Sequence, residues 1–490
     1  MTPADRALAA LRRELEAAAL AASGLEAALE AGRLLGLLDW SNVDEVMAAE
    51  ALEAALFERH GAELRRRAGA AAGPEAEWLH VISEAYAYGG HTRLPENLVS
   101  GLAATGARQA VAVTVAAPEG FAERVAAAGA AVHRLGGGWA DRAAGLLALG
   151  RRTRFVALHI HPDDLGAALA ARALRAEGRR VLFVNHSDHA FAFGPGAADA
   201  VLEISGFGWR LTEARRAARA QGFLGIPVRT PADPPPPAPG GPIVSMGDWE
   251  KYRPRAGEPG FPGFLLALLP RTDREVELIG PRAEDPWWAE VLARHPGRVR
   301  LHGPLPFAEA SARVAAAGAY VERFPRNGST ALMEALLANR TVFALGGEAG
   351  GDAGGYGLVD ALRFPSAEVL TEALLAFLAT GREPPLEAEM RRRIREEFGV
   401  AAVTARLIAA AEGRPSPIPE ELPRAPRPLN RQVDLWRGHG EVNLVLRPAP
   451  ALPLGRRLAV ARRRAGGGPL RRRHFGRGTL LRWASTGRLS

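Results

Sequence analysis

The sequence has no cysteine, one lysine and no long apolar run. Without cysteine the chain can form neither disulfides nor thiolate metal sites, and a reducing compartment is open to it. No apolar stretch approaches the ~20 residues that a membrane-spanning helix needs, and the N-terminus begins with a charged helical pattern instead of an apolar leader. We therefore expect a cytoplasmic protein, and its 490 residues are enough for two or more domains.

Net positive charge is confined to the C-terminal end. Residues 451–490 contain eleven arginines and no acidic residue, so the rest of the chain carries a formal charge of −3 although the total is +8. The nearly neutral body gives no indication of specific nucleic-acid binding. We expect 414–490 to be an extended tail rich in proline and arginine. Three alternatives are open for the role of this tail: it contacts an anionic surface at the inner membrane, it contacts an acidic partner, or it has no partner.

Two runs of alternating short strands and alanine-rich helices follow a helical segment at 1–72. This alternation predicts an α/β protein with two Rossmann-like domains, at 73–230 and 243–413. A proline-rich linker, 231–242, joins them, and a cleft should lie between them. The predicted strands are 79–83, 109–115, 131–135, 155–161, 181–186 and 200–204, then 243–246, 263–269, 275–279, 299–302, 319–324 and 341–345.

Histidines cluster in the first domain, which holds seven of the twelve in the sequence. Several lie at or just past predicted strand ends, where parallel sheets bind ligands. Because imidazole accepts a proton near neutrality, these ends are candidates for a general base. The candidates are His91, in a Gly-Gly-His turn after the first strand, then His161, Asp163, His186 and Asp188. We rank His91 and His161 first.

A metal site is an alternative reading of the same cluster. His161, Asp163, His186 and His189 offer nitrogen and oxygen ligands, although their spacing matches no compact ligand motif. A further alternative is that some of these histidines only satisfy hydrogen bonds in the core.

The segment after the strand at 319–324 is predicted to bind an anion. Residues 327–334 read Asn-Gly-Ser-Thr-Ala-Leu-Met-Glu and open an amphipathic helix. Gly328 allows close approach of the backbone, Ser329 and Thr330 can cap the helix, and the free N–H groups of its first turn favour a diphosphate. Glu334 lies one turn after Thr330, where its carboxylate can accept hydrogen bonds from ribose hydroxyls. A capped helix with a solvated acid is the alternative.

Two other strand ends of the second domain add candidates. Lys251, the one lysine of the chain, follows the strand at 243–246, where its ammonium can neutralise a phosphate in the cleft. His302 ends the strand at 299–302 and leads into a Gly-Pro turn whose backbone can read the edge of a base.

With both domains in place, the second half resembles the C-terminal domain of GT-B glycosyltransferases. Residues 327–334 are similar to the Asn-Gly-x-Thr-x-x-Met-Asp stretch of the O-GlcNAc transferase family. Residues 249–254, Trp-Glu-Lys-Tyr-Arg-Pro, resemble that family's Tyr-Lys-Ile-Asp-Pro element, and both motifs lie in the expected order. The family includes bacterial enzymes that glycosylate adhesins in the cytoplasm. This chain has Glu334 where the family has Asp, and Ser329 where it has His.

The resemblance implies roles for the matching residues. Lys251 would contact the donor diphosphate, Thr330 the phosphates and Glu334 the ribose; Asn327, Gly328, Ser329 and His302 complete the expected donor site. It also implies transfer of a hexosyl or N-acetylhexosaminyl group from a nucleotide sugar, with UDP the expected nucleotide, to a protein or glycan acceptor, without a required metal or other cofactor. A nucleotide-sugar epimerase of the same fold and a non-catalytic scaffold are the alternatives.

Overall fold

The computed structural model describes residues 3–41, 45–70, 75–86, 90–231, 240–254, 260–326, 328, 330–346 and 363–419. The N-terminal helical segment is present. It consists of α1 (Pro3–Ala21), α2 (Leu25–Ser41) and α3 (Glu50–Ala68). Leucines on all three helices are buried in one core with the helices of the first sheet. Burial of these apolar stripes holds the segment against the body of the protein.

The first sheet alternates strands and helices, as the sequence predicts. Its strands are β1 (Trp78–Glu84), β2 (Gln109–Ala116), β3 (Ala130–Arg134), β4 (Phe155–His159), β5 (Arg180–Asn185), β6 (Ala200–Glu203) and β7 (Gln221–Phe223). Its helices are α4 (Gly90–Ala103), α5 (Phe121–Ala127), α6 (Trp139–Gly150), α7 (Leu165–Ala176) and α8 (Gly206–Arg215). In the described part of the chain the order is β3-β2-β1-β4-β5-β6-β7, and all neighbours are parallel.

The second sheet has the same construction. Its strands are β8 (Ile243–Met246), β9 (Val276–Ile279), β10 (Val299–Gly303), β11 (Ala319–Val321), β12 (Val342–Leu345) and β13 (Arg363–Phe364). Helices α9 (Phe261–Leu268), α10 (Ala289–Arg294), α11 (Phe307–Ala315), α12 (Thr330–Leu337), α13 (Ala367–Thr380), α14 (Glu387–Phe398) and α15 (Val400–Ala411) complete it. The described strands run in the order β10-β9-β8-β11-β12-β13, again all parallel.

One predicted strand is wrong. Residues 263–269 belong to the helix α9 and the short 3-10 turn after it. Pro262 stands at the start of α9, where its missing N–H costs nothing, and the run of leucines that follows is apolar without alternation. Such a run fits a buried helix as well as a buried strand, so its length and apolarity cannot decide between them.

The last helix returns to the first sheet. Val403 and Leu407 of α15 are buried against Leu98 and Leu202. The Arg180 guanidinium donates to the Ala410 carbonyl at 3.1 Å. The two sheets are thereby joined through a shared core in addition to the linker, whose residues 232–239 lie outside the described part of the chain. The division of the chain at 231–242 stays a prediction.

The start of the predicted tail is ordered against the body. The Phe223 N–H donates to the Ser416 carbonyl at 2.7 Å, and Ile418 is buried in the core of the second sheet. The remainder, 420–490, lies outside the described residues. Among the helices that the structure describes, none has the length and apolarity to traverse a bilayer.

Candidate active site

Each sheet reverses its strand order at one point, and predicted site residues follow the strands on both sides of it. In the first sheet the reversal lies between β1 and β4, which lead to His91 and His161. In the second it lies between β8 and β11, which lead to Lys251 and Gly328. Open parallel sheets bind ligands at such reversal points, because the loops there diverge to opposite faces and leave a crevice.

The loop between β11 and α12 brings two cations and backbone together. The Gly328 N–H donates to Glu322 Oε1 at 2.7 Å. A Cβ added at Gly328 would lie 3.4 Å from Lys251 Nζ and 2.1 Å from Arg323 Nη2. Glycine at this position therefore lets both cationic groups approach the backbone at the entrance of α12, where the helix dipole also favours an anion.

Lys251 has an unusual electrostatic environment. The positive charge of Arg323 and burial together lower the Lys251 pKa to about 7, and the carboxylates of Glu322 and Asp248 only partly oppose this. Arg323 is held by Glu322 at 2.9 Å and by the Met246 carbonyl at 2.7 Å. Two cations are thus fixed side by side, and an anion bound between them would relieve their repulsion.

The proposed ribose ligand, Glu334, is paired across the cleft. Arg93 Nη2, on α4 of the first sheet, lies 2.7 Å and 2.8 Å from the two carboxylate oxygens of Glu334. Burial raises the pKa of Glu334, and the charge of Arg93 opposes this shift. The Arg93 guanidinium also lies over the Phe307 ring, 4.2 Å from its centroid.

The first turns of α4 and α12 face each other. A Cβ added at Gly90 would lie 3.3 Å from Thr330 Oγ1. His91 follows Gly90 directly, so the histidine turn of the first sheet is in contact with the predicted anion site of the second. The two halves of the predicted site are therefore brought together by the fold.

His91 and His186 form a half-buried aromatic pair. Their ring centroids are 4.5 Å apart, and the His91 Nε2–H donates to the Glu84 carbonyl at 2.7 Å, which leaves Nδ1 as the nitrogen with a lone pair. Burial is the largest cause that lowers the pKa of His91. Burial and the neighbouring His91 and His161 lower the pKa of His186 well below its ordinary value, and its Nε2 is buried with no hydrogen-bond partner among the described residues.

His161 is held by a carboxylate and by the helical segment. Its Nδ1 hydrogen-bonds Asp163, whose other oxygen lies 2.9 Å from Arg33 Nε on α2. The edge of the Trp40 ring packs on His161 at 4.4 Å between centroids. A Cβ on Gly36 would lie 2.7 Å from Asp163 Cα, so α2 packs directly on this turn. The helical segment therefore takes part in the site.

Two predicted residues have other partners. Asp188 is buried and accepts a hydrogen bond from the Ser205 hydroxyl, which also caps α8. His302 lies on the edge strand β10, where its Nε2 contacts Glu277 at 3.0 Å. No hydrogen bond or ion pair between described residues links Lys251 with His302 or with Asp188.

Asn327 and Ser329 lie outside the described residues, so their predicted contacts with the donor stay predictions. The alternative of a metal site also remains without support: no three histidines or acids are placed to hold a metal ion in the ranges that the structure describes.

Sequence reasoning missed several groups of this site. Arg93 and Arg323 lie within a predicted turn and a predicted strand, and arginine is so common in this sequence that neither is distinctive. Glu322 lies inside the predicted strand 319–324, where no motif marks it. Arg33 and Trp40 come from a segment predicted only to pack. The one available signal was the glycine at 36 on the same helical face as both, since it permits close approach of another backbone.

Two parallel sheets whose reversal points face each other define the GT-B glycosyltransferase fold, and solved structures match the chain at that level. A glycosyltransferase from Rickettsia africae is 11% identical, with a TM-score of 0.52, and the match covers 69% of this chain and 99% of that one. The Anabaena protein HepE, solved with UDP, is 12% identical, with a TM-score of 0.51 and coverages of 69% and 100%. At such identities the similarity establishes the fold.

A mutant O-GlcNAc transferase from Thermobaculum terrenum also matches, at 16% identity and a TM-score of 0.43, over 84% of this chain and 78% of that one. A TM-score at this level does not distinguish one GT-B family from another. No family model matches the chain, and no curated protein sequence does.

Proposed function

We propose that the protein is a glycosyltransferase that moves a hexosyl or N-acetylhexosaminyl group from a uridine diphosphate sugar to a protein or glycan acceptor. The observation that carries the proposal is the convergence of Lys251, Gly328 and the first turn of α12, directly opposite the His91 turn. One side of this crevice suits a diphosphate, and the other suits an acceptor that loses a proton.

The donor side would bind the leaving group. In this proposal the diphosphate lies between Lys251 and the N–H groups at the start of α12, with the Thr330 hydroxyl as a further donor. Glu334 receives the ribose hydroxyls. The Anabaena protein HepE was solved with UDP and with UDP-glucose, which supports uridine as the nucleoside of the donor for a chain of the same fold.

The acceptor side would remove the proton. As the acceptor oxygen or nitrogen forms its bond to the anomeric carbon, His91 Nδ1 takes the proton, and the bond from that carbon to the diphosphate oxygen breaks with its electron pair on the diphosphate. Lys251 and Arg323 stabilise the charge that develops there. We assign the base role to His91 because its turn contacts Thr330, and we assign His161, oriented by Asp163, to acceptor positioning.

The remaining predicted residues receive secondary roles. His186 supports the ring of His91, and Asp188 helps fix the start of α8 through Ser205. The basic tail, 414–490, is proposed to guide a cytoplasmic protein to an anionic membrane surface or an acidic partner. The similarities to glycosyltransferases give no support to the epimerase alternative.

Thermal-shift titration with UDP, GDP, dTDP and ADP tests the proposal. We expect stabilisation by UDP, and Lys251→Ala should weaken UDP binding about ten- to a hundredfold because a charge-assisted contact is lost. Exposed Arg300 provides a matched control, and Arg300→Ala should leave the UDP response unchanged. The proposal is wrong if no nucleotide stabilises the protein. It is also wrong if a UDP-sugar incubated without acceptor is converted to its epimer.

A further inference from the structure

The ion pair between Arg93 and Glu334 spans the two sheets at the centre of the site. Arg93 lies in the first turn of α4 and Glu334 in the second turn of α12. A single guanidinium nitrogen contacts both carboxylate oxygens, at 2.7 Å and 2.8 Å, and the two side chains are only 18% and 19% exposed. Ion pairs so far out of water are costly to break when either charge is left alone.

The ion pair engages side-chain groups that would otherwise be available to bind the sugar donor. Both oxygens of Glu334, the proposed acceptors for ribose hydroxyls, already face Arg93. Arg93 Nη1 is buried and has no hydrogen-bond partner among the residues that the structure describes, although guanidinium groups normally satisfy their donors. The guanidinium is held over Phe307 beside the anion site. A cationic donor that the described residues leave unsatisfied can take an acceptor from a bound ligand.

We propose that Arg93 is a donor-binding residue that exchanges partners: it pairs with Glu334 in the empty cleft and with a phosphate of the nucleotide once ribose hydroxyls occupy Glu334. This inference rests on the proposed function. A ligand with both a ribose and a diphosphate satisfies both members of the separated pair. Uridine alone leaves Arg93 without an anion, and pyrophosphate alone leaves Glu334 without a partner.

The exchange makes the two halves of the ligand cooperative. Each half alone must break a partly buried ion pair and leaves one charge uncompensated, whereas UDP compensates both. It also gives the first sheet a direct contact with a donor that is otherwise bound by the second. Binding of the complete donor is then coupled to the relative positions of the two sheets.

Reciprocal substitutions test the exchange, with affinities measured by calorimetry for UDP, uridine and inorganic pyrophosphate. Arg93→Ala should weaken UDP binding about tenfold or more through the lost phosphate contact. The same variant should strengthen uridine binding, because Glu334 is released. Glu334→Gln should strengthen pyrophosphate binding, because Arg93 is released, while it weakens uridine binding.

Opposite shifts for the two halves of the ligand are the distinguishing result. A parallel loss of UDP and uridine affinity in Arg93→Ala would show a merely structural role and overturn the exchange, as would unchanged affinities.

If the unpaired charge prevents folding, the double variant Arg93→Ala with Glu334→Ala removes both charges. It should then bind uridine and pyrophosphate without cooperativity, and retained cooperativity would overturn the inference. Arg271→Ala, which removes an exposed pair with Glu372, is the control and should change no affinity.

Failure of the wider proposal looks different. A wild-type protein that binds none of the three ligands contradicts the glycosyltransferase proposal itself, and the exchange falls with it. A wild-type protein that binds UDP, combined with parallel shifts in the variants, overturns the exchange alone.

Discussion

The two reversal points use different chemistry. Around the first, the polar groups are histidines whose charge depends on pH, and burial lowers the pKa of His91 and His186 so that they stay neutral. Around the second, cations are fixed beside each other, with Lys251 and Arg323 both close to Gly328. The difference fits the proposal that the first region accepts a proton and the second holds an anion.

This contrast follows from what each environment stabilises. Removal of a histidine from water favours its neutral, basic form, whereas removal of two cations from water favours an anionic partner. A reaction that produces a proton at the acceptor and a negative charge at the leaving group needs both environments, one on each side of the reacting atom.

Substitution of the proposed general base, His91, should distinguish the roles of the two regions most clearly. We expect His91→Ala to lower the rate of sugar transfer about 10²- to 10⁴-fold, the usual contribution of a general base, and to leave UDP affinity unchanged. Turnover and calorimetric titration of the same preparation measure both quantities. His161→Ala should have the smaller effect on turnover. A larger effect of His161→Ala on turnover would assign the general-base role to His161. A drop in UDP affinity in His91→Ala would show that His91 also contributes to donor binding, which contradicts the separation of the two regions.

The second-largest expected effect is a loss of stability of the first region in acid. His80 Nδ1 and His159 Nε2 lie 3.1 Å apart in the core, and burial lowers the pKa of His80 to about 4. The unfolded chain takes up a proton near pH 6.5, so stability should be complete above that pH and decrease as the pH falls towards 4. His80 alone accounts for on the order of 3 kcal/mol.

Urea unfolding at several pH values between 7.5 and 4 measures this loss. His80→Leu should flatten the pH dependence, whereas His295→Gln, outside the buried pair, should retain it. Equal slopes for wild type and His80→Leu would show that the pair does not control acid stability.

The smallest expected effect concerns the second region. Because Lys251 has a pKa of about 7 in the empty protein, UDP affinity should fall as the pH rises above 7, approaching tenfold per pH unit. Binding at pH 8 should take up a proton, which calorimetry in two buffers of different ionisation enthalpy detects. Lys251→Arg should abolish this uptake, since arginine keeps its charge. Absence of proton uptake in the wild type would show that Lys251 is already charged in the empty protein.

Most of the fold follows from sequence patterns, with failures where periodicity is ambiguous. Strand β8 was predicted with its observed bounds, because a short β-branched run between a proline-glycine turn and a glycine admits little else. The apolar run of α9 has no comparable boundary, so its pattern predicts a strand where the structure has a helix. Strands β7 and β13 were missed because they are only three and two residues long, too short for a periodic signal.

The site residues, too, fall into those that sequence patterns identify and those that they do not. Lys251 and Glu334 were identifiable because each follows a strand end at a motif, and the rarity of lysine drew attention to one of them. The partner of Glu334 was not identifiable, since Arg93 is 241 residues away in sequence. Only the packing of one sheet on the other brings such a pair together, and no local pattern encodes it.

The return of α15 to the first sheet limits how the protein can be divided. In a fragment that stopped at residue 231, Leu98 and Leu202 would lose their packing against Val403 and Leu407. The fragment would then expose a hydrophobic patch to solvent. Separate expression of the two halves should therefore give aggregation or mutual complementation, instead of two independently soluble pieces.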